Sequence, residues 1–211
     1  MKIAVIGTGN VGGALGTGWG RAGHKVIFGT RNPDASEVKH LVSSPAGKTS
    51  AATVESATAQ ADVVALAIPW GAVAEVLGQS GPALSGKVLI DCTNPSTSFP
   101  AVDHSAGSGG EQVAKMAPGA HVVKAFNTTG FENMENPKYG VETVTMFYAG
   151  DHAVANKIVH DLARDLGFDP IDAGGLKQAQ TLEMLASFWG SLAYGQKLGR
   201  GIAFRLLRRN L

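Results

Sequence analysis

The chain of 211 residues contains a single cysteine, Cys92, and lacks long apolar segments. One thiol cannot form an internal disulfide and cannot build a thiolate metal site alone. A membrane helix needs about 20 consecutive apolar residues, and no segment approaches that length. Met1 leads directly into an apolar strand pattern, without the basic and apolar regions of a signal peptide. The sequence therefore predicts a cytoplasmic protein without a membrane partner.

An excess of charge of either sign is also missing. Lys and Arg total 18 and Asp and Glu total 17, which gives a net charge of +1. This balance predicts no nucleic-acid partner and leaves small molecules as the expected ligands. The length and the 44% hydrophobic content suffice for one sizeable core with a small appendage.

Short apolar segments alternate with helical patterns along the first two thirds of the chain. Strands are predicted at residues 2–7, 25–29, 49–54, 62–68, 87–91 and 121–125. Helices are predicted at residues 10–22, 33–43, 70–77 and 111–116, and residues 96–110 read as an exposed loop. This alternation predicts an α/β fold, a Rossmann-type doubly wound parallel sheet with helices on both faces.

The last third of the chain continues the alternation of strands and helices and then becomes mostly helical. Strands are predicted at residues 143–149 and 168–172, with a helix at residues 153–166 between them. Residues 176–207 read as a mostly helical tail interrupted by glycines. The expected architecture is therefore a Rossmann sheet with a small, mainly helical C-terminal part.

The turn after the first predicted strand has the glycine spacing GxGxxG. It consists of Gly7, Thr8, Gly9, Asn10, Val11 and Gly12, and it opens the first helix. In such a turn the first glycine permits the tight bend, the second lets the backbone approach a pyrophosphate, and the third lets helix pack on strand. The free N–H groups of the helix N-terminus favour phosphate. The strand–turn–helix context therefore predicts a dinucleotide site.

The end of the second predicted strand lacks the carboxylate that binds the ribose of NAD. The segment reads Gly29, Thr30, Arg31 and Asn32, and the first carboxylate is Asp34. A hydroxyl from Thr30 and a charged fork from Arg31 suit the 2′-phosphate of NADP. We therefore expect NADP(H) as the cofactor, against the alternative that Arg31 is a solvated loop residue.

Three further strand ends supply candidate groove residues, because the carboxyl ends of parallel strands form the ligand crevice. Ala67, Ile68 and Pro69 follow the fourth strand, Asn94 follows the fifth, and Asn127 and Thr128 follow the sixth. Each Asn is expected either to contact a ligand or to close an Asx turn. Trp70 is equally compatible with packing and with a ligand contact.

The chain also lacks a recognisable proton-transfer apparatus. No Tyr-x-x-x-Lys pair, nucleophile elbow or His/Asp/Glu cluster with metal-ligand spacing is present. Hydride transfer between two cofactor rings requires only alignment and exclusion of water. We therefore expect neither catalytic side chains nor a metal.

These residues together resemble the F420-dependent NADP oxidoreductases, which exchange hydride between NADP(H) and an 8-hydroxy-5-deazaflavin. The resemblance spans nearly the whole chain. It rests on GTGNVG at 7–12, FGTR at 28–31, AIPW at 67–70, VKAFNT at 123–128, AGD at 149–151, DAGGL at 172–176 and LE at 182–183. The core is also similar to the reductase part of the STEAP metalloreductases.

The resemblance implies particular roles for residues and segments. Thr8, Gly9, Asn10 and Val11 would hold the pyrophosphate, Thr30 and Arg31 the 2′-phosphate, and Ile68 and Asn94 the dinucleotide groove. Residues 1–150 would form the NADP-binding domain. Residues 151–211 would close over the second cofactor, F420 or FMN, usually in a homodimer.

Two other functions remain open at this point. A reductase of small imines or carbonyls shares the Rossmann half, but it normally continues into a larger helical domain. A non-catalytic NADPH sensor would explain the missing acid–base residues. The basic residues of the tail, such as Arg208 and Arg209, either meet an anionic group of the acceptor or lie on a solvated face, and we favour the solvated face.

Overall fold

The structure is a computed structural model that describes residues 1–43, 48–95 and 107–209. Residues 96–106, which are most of the predicted exposed loop, lie outside the described residues. No helix among the described residues combines the length and apolarity needed to cross a bilayer.

Eight strands form one sheet, and two short strands form a separate hairpin. The strands are β1 (Lys2–Ile6), β2 (Lys25–Gly29), β3 (Thr49–Ala52), β4 (Val63–Leu66), β5 (Val88–Asp91), β6 (His121–Ala125), β7 (Lys138–Tyr139), β8 (Glu142–Thr143), β9 (Thr145–Gly150) and β10 (Asp169–Asp172). Across the large sheet the order is β10-β9-β6-β5-β4-β1-β2-β3. The chain order reverses between β1 and β4, and this switch point is where open α/β sheets bind ligands.

The helices are α1 (Asn10–Arg21), α2 (Ser36–Ser43), α3 (Val54–Gln60), α4 (Val73–Leu84), α5 (Gly109–Met116), α6 (Phe131–Glu135), α7 (Ala153–Asp165) and α8 (Ala179–Gly190). Short 3₁₀ turns at Trp70–Ala72 and Leu176–Gln178 precede α4 and α8, and a π-helical turn at Ser191–Gly195 follows α8.

Two apolar cores lie on opposite faces of the sheet, as expected for a doubly wound fold. Successive residues of β1 point to opposite faces, so that Ile3 and Val5 join one core and Ala4 and Ile6 join the other. The first core is covered by α1, α6 and α7, and the second by α3, α4, α5 and the start of α8. On the first face, the indole N–H of Trp19 donates to the carbonyl of Leu162 at 3.0 Å and joins α1 to α7.

Six strands of the large sheet are parallel, as predicted for a doubly wound fold, and the last two run in the opposite direction. β9 pairs with β6 in antiparallel register, and β10 runs parallel to β9, so both oppose the other six strands. The physical reason is the connection, because the β7–β8 hairpin turns the chain between β6 and β9 instead of a long crossover helix.

The tail is helical for only part of its predicted length. Its helical turns span Leu176 to Gly195, and residues 196–209 have no regular structure. Backbone and side-chain partners hold this last segment against the body. Thr145 N–H donates to the carbonyl of Phe204, and both Trp189 and Asn133 donate to the carbonyl of Ile202.

Candidate functional site

The glycine-rich turn joins β1 to the N-terminus of α1. Gly7 has a φ of +107°, and a Cβ there would lie 2.3 Å from the carbonyl oxygen of Ala67. A Cβ on Gly12 would lie 2.0 Å from the carbonyl oxygen of Gly7, whereas a Cβ on Gly9 would meet nothing within 4 Å. Gly9 caps α1 without a side-chain acceptor, so the first N–H groups of the helix are available to an anion.

The end of β2 presents a hydroxyl and a guanidinium group next to this turn. Thr30 is half-buried and its hydroxyl oxygen lies 3.4 Å from the N–H of Asn32. Arg31 is exposed, and its guanidinium forms no ion pair with any of the residues that the structure describes. Within the described parts of the chain, a positive charge without an ion-pair partner therefore lies directly after β2.

The end of β4 lies between β1 and β5, at the switch point. Ala67 donates its N–H to the carbonyl of Ile6 and continues the pairing with β1. Ile68 and Trp70 are half-buried and pack partly against the second core, while Pro69 is exposed. Trp70 therefore has a packing role in part.

Asn94 and Asn127 form a reciprocal pair across the ends of β5 and β6. The Asn94 amide donates to the backbone carbonyl of Asn127, and the Asn127 amide donates to Oδ1 of Asn94, both at 3.0 Å. Within the described residues, the side chain of Asn127 does not close an Asx turn. Among the described residues, Oδ1 of Asn127 has no hydrogen-bond partner, although the residue is only 5% exposed. Buried polar atoms are usually paired, so this orphan acceptor is a candidate contact for a ligand N–H.

Backbone strain precedes this pair. Phe126 is buried and has a φ of +61°, a region that bulky residues rarely adopt and that costs about 1–3 kcal/mol. Trp19 and Phe168 hold its ring by edge-to-face contacts. Such strain is typical of functional sites, and the strained residue directly precedes Asn127.

A cavity of about 460 Å³ opens where these strand ends meet α8. Val11, Asn94, Asn127 and Thr129 line one side of the cavity. The other side is formed by α6, the C-terminal half of α8 and the segment that follows, including the residues Phe131, Ser187, Trp189, Ser191, Tyr194 and Arg200. The cavity thus lies between the predicted dinucleotide groove and the C-terminal part. Thr128 is buried beside it and is not among the residues that line it.

Arg200 anchors the far wall of the cavity. Its Nε and Nη2 donate to the two carboxylate oxygens of Glu132, with 3.0 Å for the Nη2–Oε2 pair, and its Nη1 donates to the hydroxyl of Tyr194. The guanidinium lies 5.0 Å from the ring centre of Phe131 and 5.7 Å from that of Trp189. The hydrogen bond from Arg200 lowers the pKa of Glu132, and the same bond raises the pKa of Arg200, so both stay charged.

A buried ionic cluster lies beneath the polar strand ends. Nζ of Lys124 lies 2.9 Å from Asp91, 2.8 Å from Glu183 and 2.6 Å from the carbonyl of Thr93, and all three charged side chains are fully buried. Burial opposes the charge of Lys124, but the two carboxylates outweigh it and raise its pKa. Glu183 also accepts the N–H groups of Gly109 and Gly110 at the start of α5. The cluster therefore ties α8 and α5 to the ends of β5 and β6.

Neither this cluster nor the cavity wall around Arg200 was predicted from the sequence. A lysine inside the apolar strand HVVKA was a usable signal, because a buried ammonium group requires carboxylate partners. The ion pair between Arg200 and Glu132 could not be predicted from the sequence in the same way. Glu132 lies 68 residues away and belongs to a helix of five residues. Arg205 likewise pairs with Glu142, so two of the basic tail residues have protein partners.

Cys92 is structural. It is 8% exposed, and burial raises the pKa of its thiol, so the reactive thiolate is not formed at neutral pH.

The switch-point crevice, the glycine-rich turn and the adjoining cavity define the class of this protein, a Rossmann-type oxidoreductase. Three comparisons specify it further. Residues 2–95 match the family model described as NADP oxidoreductase coenzyme F420-dependent. The F420-dependent NADP reductase of Methanothermobacter marburgensis is 32% identical over 200 residues, which cover 88% of this chain and 89% of that protein. The chain belongs to the family of F420-dependent NADP oxidoreductases.

A solved structure and a longer relative support the assignment. A candidate F420-dependent NADP-reductase from Arthrobacter sp. FB24 superposes with a TM-score of 0.87 at 30% identity, and it covers 99% of this chain and 100% of its own. Metalloreductase STEAP3 of Rattus norvegicus is 30% identical over 188 residues, which cover 87% of this chain and 36% of that protein. The present chain thus spans about a third of the metalloreductase. The family membership makes NADP(H) its cofactor.

Proposed function

We propose that this protein transfers hydride between NADP(H) and a deazaflavin of the F420 type. The observation that carries the proposal is the cavity of about 460 Å³ that adjoins the dinucleotide edge and is walled by Phe131, Trp189 and Tyr194. Aromatic walls suit a flat ring system. Relatives of nearly the same length carry the name F420-dependent NADP reductase.

The pyrophosphate of NADP(H) would be held by the turn from Gly7 to Gly12. The open space at Gly9 lets the phosphates approach, and the uncapped N-terminus of α1 offers its N–H groups. Thr30 and Arg31 would hold the 2′-phosphate, because Arg31 is free to form a charge-assisted fork.

The nicotinamide would lie over the ends of β4, β5 and β6. Ala67, Ile68 and Pro69 would line the groove, and Asn94 would orient Asn127. The orphan Oδ1 of Asn127 would accept the N–H of the carboxamide, while the buried Thr128 supports the same edge from behind. The acceptor ring would then stack in the cavity, between the nicotinamide and the aromatic wall.

The two parts of the chain would bind different ligands. Residues 1–150 would bind NADP(H), and residues 151–211 would close the acceptor side, because Ser187, Trp189, Tyr194 and Arg200 line the cavity. We further propose a homodimer, since Met184 and Phe188 are exposed on one face of α8. The proposed location is the cytoplasm, where NADPH is supplied.

The proposal is tested by following NADPH oxidation with the deazaflavin, with FMN and without an acceptor, and by repeating each reaction with NADH. Rapid turnover with NADPH and the deazaflavin is expected, and slow turnover with NADH. Faster NADPH oxidation with FMN than with the deazaflavin would show that the acceptor is a flavin. Tight NADPH binding without turnover on either acceptor would reject the proposal and favour a sensing role or a small imine or carbonyl substrate.

A further inference from the structure

The hydroxyl proton of Tyr194 has no acceptor in the described parts of the chain. The hydroxyl oxygen accepts a hydrogen bond from Nη1 of Arg200. A guanidinium group has five N–H donors and no acceptor, so the proton of Tyr194 cannot point back toward Arg200. It is therefore available to another molecule.

The position of this hydroxyl is fixed from two sides. Arg200 is clamped by both carboxylate oxygens of Glu132. The ring of Tyr194 packs edge-to-face on Trp189, with 6.2 Å between ring centres and an interplanar angle of 88°. Trp189 is itself held by its bond to the carbonyl of Ile202 at 2.8 Å. The hydroxyl thus belongs to a rigid wall.

The backbone around Tyr194 departs from regular helix. Ser191–Gly195 form a π-helical turn, which is rare and is found frequently at functional sites. Lys197, two residues beyond it, has a φ of +57°. Tyr194 thus lies within an irregular turn and three residues before a residue with a left-handed backbone, and it lines the cavity.

Tyr194 and Asn127 line the same cavity with complementary groups. Tyr194 offers a donor, and the orphan Oδ1 of Asn127 offers an acceptor. A ligand that fills the cavity can therefore accept a proton from Tyr194, while Asn127 holds the nicotinamide of NADP(H).

We propose that Tyr194 is the proton donor to the hydride acceptor, an inference that rests on the proposed function. Hydride transfer moves two electrons and a hydrogen from C4 of the dihydronicotinamide to a ring carbon of the acceptor. The C4–H bond breaks, a C–H bond forms, and negative charge develops on a conjugated nitrogen or oxygen of the acceptor. Tyr194 then breaks its O–H bond and gives the proton to that atom.

Arg200 makes this step possible as a positioning residue. Its charged N–H group already donates to the neutral Tyr194 oxygen, and when the phenolate forms the bond joins a cation to an anion, which stabilises the developing negative charge. Solvent restores the proton, because Tyr194 is 59% exposed in the absence of ligand. The site thus combines alignment with a proton donor, as the overall reaction requires one proton for each hydride.

The test compares wild type with Tyr194→Phe in single-turnover NADPH oxidation by the oxidised deazaflavin. We expect the hydride-transfer rate to fall about 100-fold, the lower end of the usual contribution of general acids. The dissociation constant for NADPH and the melting temperature should stay at their wild-type values. The dissociation constant of the oxidised deazaflavin should rise, since the variant loses a hydrogen bond to it. Tyr148→Phe is the matched control, because Tyr148 bonds to His160 and does not line the cavity.

The outcomes separate this inference from the proposed function. If the wild type and Tyr194→Phe transfer hydride at the same rate, the inference is overturned and the proposed function stands. Absence of transfer in the wild type would reject both. A solvent deuterium isotope effect that is present in the wild type and absent in Tyr194→Phe supports the coupling of proton and hydride. An isotope effect of equal size in both proteins counts against it.

Discussion

At the scale of single residues, we propose that one exposed cation determines the choice of nucleotide. Arg31 stands at the end of β2, beside a half-buried threonine hydroxyl, with no carboxylate before Asp34. A carboxylate at this point would bind the ribose of NAD and repel a 2′-phosphate. A free guanidinium group has the opposite preference.

Replacing this residue should therefore change selectivity more than it changes binding in general. Arg31→Ala is expected to raise the dissociation constant for NADPH about 10- to 100-fold, the equivalent of the roughly 1.5–3 kcal/mol of a hydrogen bond to a charged group. The constant for NADH should stay the same. Fluorescence titration with both nucleotides measures it, with Arg208→Ala as the control. An equal loss of affinity for NADH and NADPH would show that Arg31 does not bind the 2′-phosphate.

Lys124 is the residue on which the buried cluster depends. Its removal takes away the cation that faces the buried carboxylates of Asp91 and Glu183, and breaking a buried ion pair in this way costs about 3–5 kcal/mol. Lys124→Met is expected to lower the free energy of unfolding by that amount in urea denaturation. Lys157→Met is the matched control, because Lys157 pairs with Asp161 at 2.7 Å on the surface and should cost about 0.5 kcal/mol. Equal losses in the two variants would contradict this account.

At the scale of elements, the turn between β1 and α1 separates packing from ligand binding. A Cβ on Gly12 would collide with the carbonyl of Gly7, whereas a Cβ on Gly9 would enter open space. Gly16 and Gly18 of α1, which cost helix propensity, have a similar packing reason. Their added Cβ atoms would lie 2.4 Å from Phe28 and from Leu166, respectively.

Two alanine substitutions in the turn should therefore have different effects. Gly12→Ala is expected to destabilise the fold by about 1–3 kcal/mol, as overpacking does. Gly9→Ala should keep the melting temperature and raise the dissociation constant for NADPH about 10-fold or more, because the methyl group would stand where the pyrophosphate approaches. Thermal denaturation of both variants measures the change in stability, and nucleotide titration measures the change in NADPH affinity. Unchanged NADPH affinity in Gly9→Ala would show that the phosphates bind elsewhere.

The elements differ in how far sequence could predict them. The strands β1, β2, β4, β5 and β6 stand out as apolar segments, and the glycine spacing identifies the turn after β1. The strand predicted at residues 49–54 forms as β3 but ends at Ala52, because the Thr53 side chain accepts the N–H of Ser56 and caps α3. An Ala- and Thr-rich segment carries little apolar periodicity, so this helix gave no signal. The direction of β9 depends on a hairpin of two-residue strands, which leaves no periodic pattern either.

At the scale of the whole molecule, the candidate site is assembled from distant parts of the chain. Asn94 and Asn127 could be predicted because both follow apolar strands. The wall of Trp189, Tyr194 and Arg200 could not, because it depends on the π-helical turn and on the path of residues 196–209. Local sequence patterns do not encode contacts of that range.

The same C-terminal part should join two copies of the protein. Met184 and Phe188 are 57% and 51% exposed and lie four residues apart on α8, so they share one face. Light scattering is expected to give twice the chain mass of 21.7 kDa. Phe188→Asp should reduce it to a single chain without changing the NADPH dissociation constant. A wild-type mass of one chain would reject the proposed homodimer.

The central claim, direct hydride transfer from NADPH to a ring carbon of a second cofactor, is tested most directly with an isotope label. NADPH carrying two deuterium atoms at C4 is oxidised with the deazaflavin in ordinary water, and the reduced deazaflavin is analysed by mass spectrometry. The account predicts one deuterium in each reduced ring, because a hydrogen bound to carbon does not exchange with solvent. Reduced deazaflavin without deuterium, or no reduction at all, would contradict it.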